Sequence, residues 1–164
     1  APEVMDAAQL DWLQSHLWIL SGLYGCVRPF HGVSPYRLEM GAKLSVDDVR
    51  DLYAFWGDKL ACAIAPTGSN TTVVNLASVE YAKAVLPHLA GDATTVTCLF
   101  GEGVRNGKPI QRSTASKKAR GSMVRWMAEN KLEDASGLTA FDVGYRHLPE
   151  LSNKNTLVFL NEQT

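Results

Sequence analysis

Seven basic side chains fall within twenty-one positions: Arg105, Lys108, Arg112, Lys117, Lys118, Arg120 and Arg125, with no acidic residue between the first and the last. A solvated surface normally mixes both signs. A local charge of +7 is instead the footprint expected of a surface that meets phosphates, because each Lys or Arg set against a phosphate releases a condensed counterion. Lys117, Lys118, Arg120 and Arg125 are the candidate phosphate-neutralising residues. Gly121 stands among them, although a glycine inside a helix costs about 1 kcal/mol relative to Ala. Either a phosphate or sugar comes close to the helix there, or another helix or strand does. The competing account of the whole cluster is a solvated basic face with no ligand.

A second group lies between Arg28 and Gly41. Arg28, His31, Tyr36, Arg37 and Glu39 alternate with residues that look packed, which would hold several polar groups rigidly. One use is an internal Arg–carboxylate network. The other is an anion-binding or acid–base site in which Tyr36 and Glu39 transfer protons, with Asp58 as a further carboxylate and Arg28 or Arg37 lining the phosphate-binding cleft. Asn75, Ser78 and Glu80 sit where a strand should end and a helix begin, a place where α/β sheets bind ligands. No P-loop, G-x-S-x-G, H-E-x-x-H or dinucleotide fingerprint is present. An enzyme acting on a nucleotide or nucleobase, its phosphate held by the basic residues, therefore stands beside a nucleic-acid-binding protein as an alternative. His16, His31, His88 and His147 show no metal-ligand spacing, and Cys26, Cys62 and Cys98 form neither a Cys-x-x-Cys pair nor a disulfide framework. The expectation is reduced thiols, no metal and no cofactor.

The elements that must position these groups are those of a globular protein. Of 164 residues 46% are hydrophobic and 20% charged, enough to bury a core, and no apolar run reaches membrane-span length. With no cationic leader pattern, a cytoplasmic protein that does not engage a membrane is expected. The net charge of -1 argues against a nucleic-acid partner only until it is divided by segment, which leaves the basic excess entirely in residues 105–125. The chain opens at Ala1 rather than Met, and a fragment is expected.

Apolar spacing predicts a helix from Asp6 to Tyr24, a long ordered loop from Val27 to Leu44, and a second helix capped at Ser45 and running to Ile64. A central strand is expected at Thr71–Leu76, a helix from Ser78 to Leu89, and a strand at Thr94–Phe100. Asn106-Gly107 marks a hairpin toward a strand near Ile110. A basic helix from Ser113 to Lys131 follows, and a closing strand at Thr156–Leu160. That order predicts an α/β (or α+β) fold, a mixed β-sheet flanked by helices.

The stretches LSGLYG (20–25), PYRLEMG (35–41), LYAFWGDKL (52–60), NLAS-x-EY (75–81), KKARG-x-M (117–123) and LVF (157–159) together resemble the YaaA family of peroxide-stress proteins over essentially the whole chain. The resemblance implies a cytoplasmic bacterial protein of the hydrogen peroxide response that limits damage from intracellular iron. It also implies binding of double-stranded DNA, without sequence preference, through a basic cleft on an unusual α/β fold with a helix-hairpin-helix element. Members carry a substantial segment ahead of the position matching Ala1, so one YaaA-like domain lacking that segment, the C-terminal part of a larger one, is the expected organisation.

Overall fold

The computed structural model describes residues 4–162 and opens with helix α1 (Ala7–His16), which Asp6 starts by a capping box. The Asp6 carboxylate accepts the Gln9 N–H at 2.8 Å, and the Gln9 side chain accepts the Asp6 N–H at 3.1 Å. The helix expected to reach Tyr24 stops here. Leu17 is extended, and the chain turns into an antiparallel hairpin, β1 (Ile19–Ser21) against β2 (Gly25–Val27). Gly25 has φ +74°, and a Cβ on it would lie 2.8 Å from the Trp56 ring. A bend that only glycine fits has overridden the helical spacing of Leu17, Leu20 and Tyr24.

The loop from residue 28 to 44 carries no helix or strand, as its prolines and glycines predict. It packs down only in part: Met40 is fully buried, whereas Phe30, Tyr36 and Leu44 remain exposed. The single helix expected from Ser45 is two short ones, α2 (Leu52–Trp56) and α3 (Lys59–Ile64), broken at Gly57 with φ +50°. Its start is set by Asp51, whose carboxylate accepts the Ala54 N–H at 2.8 Å. Upstream, Val46 and Val49 exchange backbone bonds around Asp47, itself left-handed at φ 50°.

After β3 (Thr72–Asn75), helix α4 is only Val79–Ala82 rather than running to Leu89. Pro87, which has no N–H for a helical ladder, sits in a separate 3-10 turn at Leu86–His88. Around these elements Met40, Leu52, Leu60, Ala61, Ala84 and Val85 form one hydrophobic core.

That core belongs to the first of two compact units, made of the residues up to Val73 together with Ala77–Thr94; Val74–Leu76 and the residues from Thr95 onward form the second. The second unit holds β4 (Thr94–Gly101) from Thr95 on, a two-stranded hairpin β5 (Val104–Arg105) and β6 (Lys108–Pro109), the long helix α5 (Ser113–Glu129), β7 (Tyr145–His147) and β8 (Thr156–Asn161). Asn106 and Gly107, both at positive φ, make the hairpin turn that their sequence predicts, and the returning strand lies at Lys108–Pro109, beside Ile110, whose backbone still bonds Glu102 and Gly103.

The sheet order is β3-β4-β8-β7. β8 runs parallel to β4 and antiparallel to β7, so the sheet is mixed and the fold is α/β. β3, expected in the middle from its β-branched run, is instead the last strand of the order. Strand β7 has no counterpart in the sequence-based reading: three residues, Tyr-Arg-His, are too few for an alternating pattern to show.

The second core is aromatic. Phe100 and Phe159, paired in register across β4 and β8, stack at 5.5 Å, and Phe141 meets both rings edge-on. Ala119, Met123 and Leu138 close the cluster. Among the described residues no helix is long and apolar enough to cross a membrane.

Candidate nucleic-acid interface

Ser116, Ala119 and Met123, at steps of three and four, make the buried stripe of α5, and Ala128 is buried near its end. The Ser116 hydroxyl donates to the Phe100 carbonyl at 3.4 Å. With this side held against the sheet, Lys117, Lys118, Gly121 and Arg125 are left exposed. A Cβ placed on Gly121 would meet nothing within 4 Å. Close packing of another described element therefore does not account for the glycine. What it creates is a bare strip of backbone flanked by cations.

The seven basic residues are not equivalent. Arg112 pairs with Glu102 (Nε–Oε2 2.9 Å), and Arg125 with Glu129 one turn on (Nε–Oε1 2.7 Å). Arg105 and Lys108, in the hairpin, and Lys117 and Lys118, on the helix, are exposed. Arg120, named with Lys117, Lys118 and Arg125 as phosphate-neutralising, differs from them. It is half-buried, its Nε has no hydrogen-bond partner among the described residues, and burial lowers its pKa from the usual arginine value. An orphaned buried donor costs roughly 1–3 kcal/mol.

At its start, α5 lacks an N-cap side chain: Arg112 precedes it in extended conformation and makes no side-chain capping bond to the first turn. An open cleft of about 650 Å³ faces this end, lined by Arg112, Ser113, Thr114, Lys118, Ser122 and Tyr145 among others. Glu102 directly follows β4 and Asn161 ends β8, and both also line the cleft. It thus lies off the carboxyl ends of two parallel strands, where open α/β sheets hold ligands, and the helix N-terminus favours an anion. The Tyr145 phenol is held above its ordinary pKa by burial, with the Glu102 charge adding and a hydrogen bond involving Asn161 opposing.

The strand end named from the sequence is used differently. Asn75 donates from Nδ2 to Thr97 Oγ1 at 3.2 Å, tying β3 to β4. Ser78 precedes α4 without capping it. Glu80 turns to the 28–44 loop, accepting the Gly41 N–H at 2.7 Å, while its own carbonyl accepts the Tyr53 hydroxyl at 3.1 Å.

In the first unit, Arg28 is taken up locally. Its Nη1 donates to the Ser15 and Leu17 carbonyls at 3.0 and 3.3 Å, and the guanidinium lies 3.7 Å over the Trp18 ring. The carbonyls at the end of α1 thereby gain a donor. Tyr36 and Ser21 share a hydrogen bond through their hydroxyls, and the Tyr36 ring meets Tyr24 edge-on at 5.5 Å. Arg37 and Glu39 are exposed, and no ion pair joins them among the described residues. Burial raises the Tyr81 phenol, with a bond to the Met40 backbone opposing and the charges of Glu80, Tyr36 and Glu39 adding. Asp58 stands exposed before α3 and caps nothing with its side chain. Among the described residues no three His, Cys, Asp or Glu side chains are grouped to hold a metal ion.

The motif-bearing stretches thus fall in built positions: PYRLEMG in the tied loop, and KKARG on the exposed and half-buried sides of α5. A family model for the peroxide stress protein YaaA matches residues 1–151. The chain belongs to the YaaA family. Curated relatives are UPF0246 proteins of Pediococcus pentosaceus (46% identical, over 99% of this chain and 64% of the relative), Desulfitobacterium hafniense (44%, over 98% and 63%) and Laribacter hongkongensis (47%, over 96% and 62%). The chain spans less than two thirds of the length of these family members.

Sequence reasoning about this family member found the basic helix but missed the cleft at its start. Ser113, Thr114 and Ser122 carry no charge, and Tyr145 and Asn161 arrive from distant strands. The one signal on offer was Ser-Thr at the opening of a helix with no acidic residue in its first turn.

Proposed function

We propose that this chain supplies the DNA-contacting face of a peroxide-stress protein. The observation that carries the reading is the exposed side of α5, where Lys117 and Lys118 stand one turn before the bare backbone at Gly121; the hairpin that precedes α5 in the chain carries exposed Arg105 and Lys108. Point charges around an open strip suit a phosphodiester backbone. The ammonium groups of Lys117 and Lys118 carry no planar fork for a base edge, so their contacts with duplex DNA would be independent of sequence. A protein lying along the backbone shields the sugars from hydroxyl radical made by ferrous iron and peroxide. That is the sense in which the family's peroxide-stress description and a limit on iron-dependent damage fit this face.

The test is duplex binding by the full-length protein across a salt series. Removing Lys117 and Lys118 together should flatten the log K against log salt slope by about 0.9 per lost phosphate contact. An affinity indifferent to salt and to Lys117→Ala with Lys118→Ala overturns the proposal. Plasmid nicking by ferrous iron and peroxide should fall with the wild-type protein and not with the double variant.

A second reading is favoured by the 650 Å³ cleft at the start of α5: an enzyme acting on a nucleotide, whose phosphate meets Lys118 and the helix N-terminus, with Glu102 and Tyr145 at the wall for proton transfer. A thermal-shift series with nucleoside mono- and triphosphates separates the two, since a ligand of the folded state raises the midpoint. A flat response leaves the DNA reading alone.

A further inference from the structure

We propose that the outer edge of β3 is completed, in full-length family members, by a strand from the part of the chain outside these 164 residues. β3 ends the sheet order, and no further strand is paired with it among the described residues. The Thr94 N–H donates to the Thr71 carbonyl at 3.0 Å. Backbone groups alternate sides along a strand, so those of Thr72 and Val74 point away from β4.

An open edge is a template for pairing, and proteins blunt it with charge, proline, shortness or cover. The opposite edge of this sheet is blunted. β7 has three residues with exposed Arg146 at its centre, Gly144 at φ +69° before it and Pro149 after it. β3, at four residues, is also short, but it carries neither of the chemical devices: Thr72, Val73, Val74 and Asn75 include no charge and no proline. Its composition is that of an interior strand. The matched relatives are longer than this chain, which covers 62–64% of them. More than a third of their length is therefore available to supply the neighbour in cis.

The experiment uses the full-length Pediococcus pentosaceus relative, labelled for NMR. At the positions aligned with Thr72 and Val74, amide exchange should be slowed on the order of 100-fold or more over an open edge. Cross-strand backbone NOEs from those positions should lead to residues outside the region matched by this chain, and both signals should be independent of protein concentration. Fast exchange overturns the proposal. So does protection that rises with concentration, which assigns the edge to a second copy, and so does protection without cross-strand NOEs, which assigns it to a covering helix or loop.

Discussion

The carboxylate of Glu80 accepts the backbone N–H of Gly41 at 2.7 Å, fixing the end of the PYRLEMG stretch to the start of α4 across thirty-nine positions. A Cβ on Gly41 would come within 3.2 Å of the same oxygen, so glycine permits the approach. Glu80→Ala should destabilise the protein by about 1 kcal/mol, the value of a charge-assisted bond discounted for exposure. Glu80→Gln, which keeps a carbonyl acceptor, should recover most of the loss. Urea unfolding of both variants checks this; equal losses would mean that Glu80 acts by charge alone.

Gly121 separates stability from function. Nothing stands over it, so Gly121→Ala should stabilise α5 by about 0.5–1 kcal/mol. If DNA uses the bare strip, the same change should weaken duplex affinity. A variant that gains stability with affinity unchanged would show that the glycine serves no ligand.

Arg28 is predicted to be structural. Arg28→Ala removes two bonds to carbonyls and the stack on Trp18, and should lower stability by roughly 1–2 kcal/mol. The salt slope of DNA binding should stay where it is. A slope reduced by about 0.9 would place Arg28 on a phosphate instead.

The cysteines should react in a fixed order. Cys62 is exposed, whereas burial pushes the Cys98 thiol up from 9.0 to about 12. Since the thiolate is the nucleophile, an aromatic disulfide reagent should label Cys62 in the native protein and Cys98 only on unfolding. With the folded value raised, the thiol's contribution to stability is full below pH 9.0 and is lost as pH climbs toward about 12. Cys98→Ala should flatten that alkaline fall, and an unchanged fall would assign it to other groups.

What was legible in the sequence had local causes. The hairpin at Asn106-Gly107, the long helix α5, the strands at 94 and 156 and the α/β class follow from turn chemistry and periodicity over a few residues. The helix predicted through Tyr24 failed because periodicity is blind to a bend that Gly25 alone can make against Trp56. The β3 position failed because composition records what a strand is suited to, not which strands are present beside it.

The sequence by itself determined where the charge lies, since +7 over 105–125 needs no coordinates. Only the tertiary structure decided which of those charges are free. Arg112 and Arg125 acquire carboxylate partners, Arg120 turns its Nε inward, and Lys117 and Lys118 stay in water. The physical reason is that charge belongs to the residue, whereas exposure and pairing depend on which side of the helix the sheet covers.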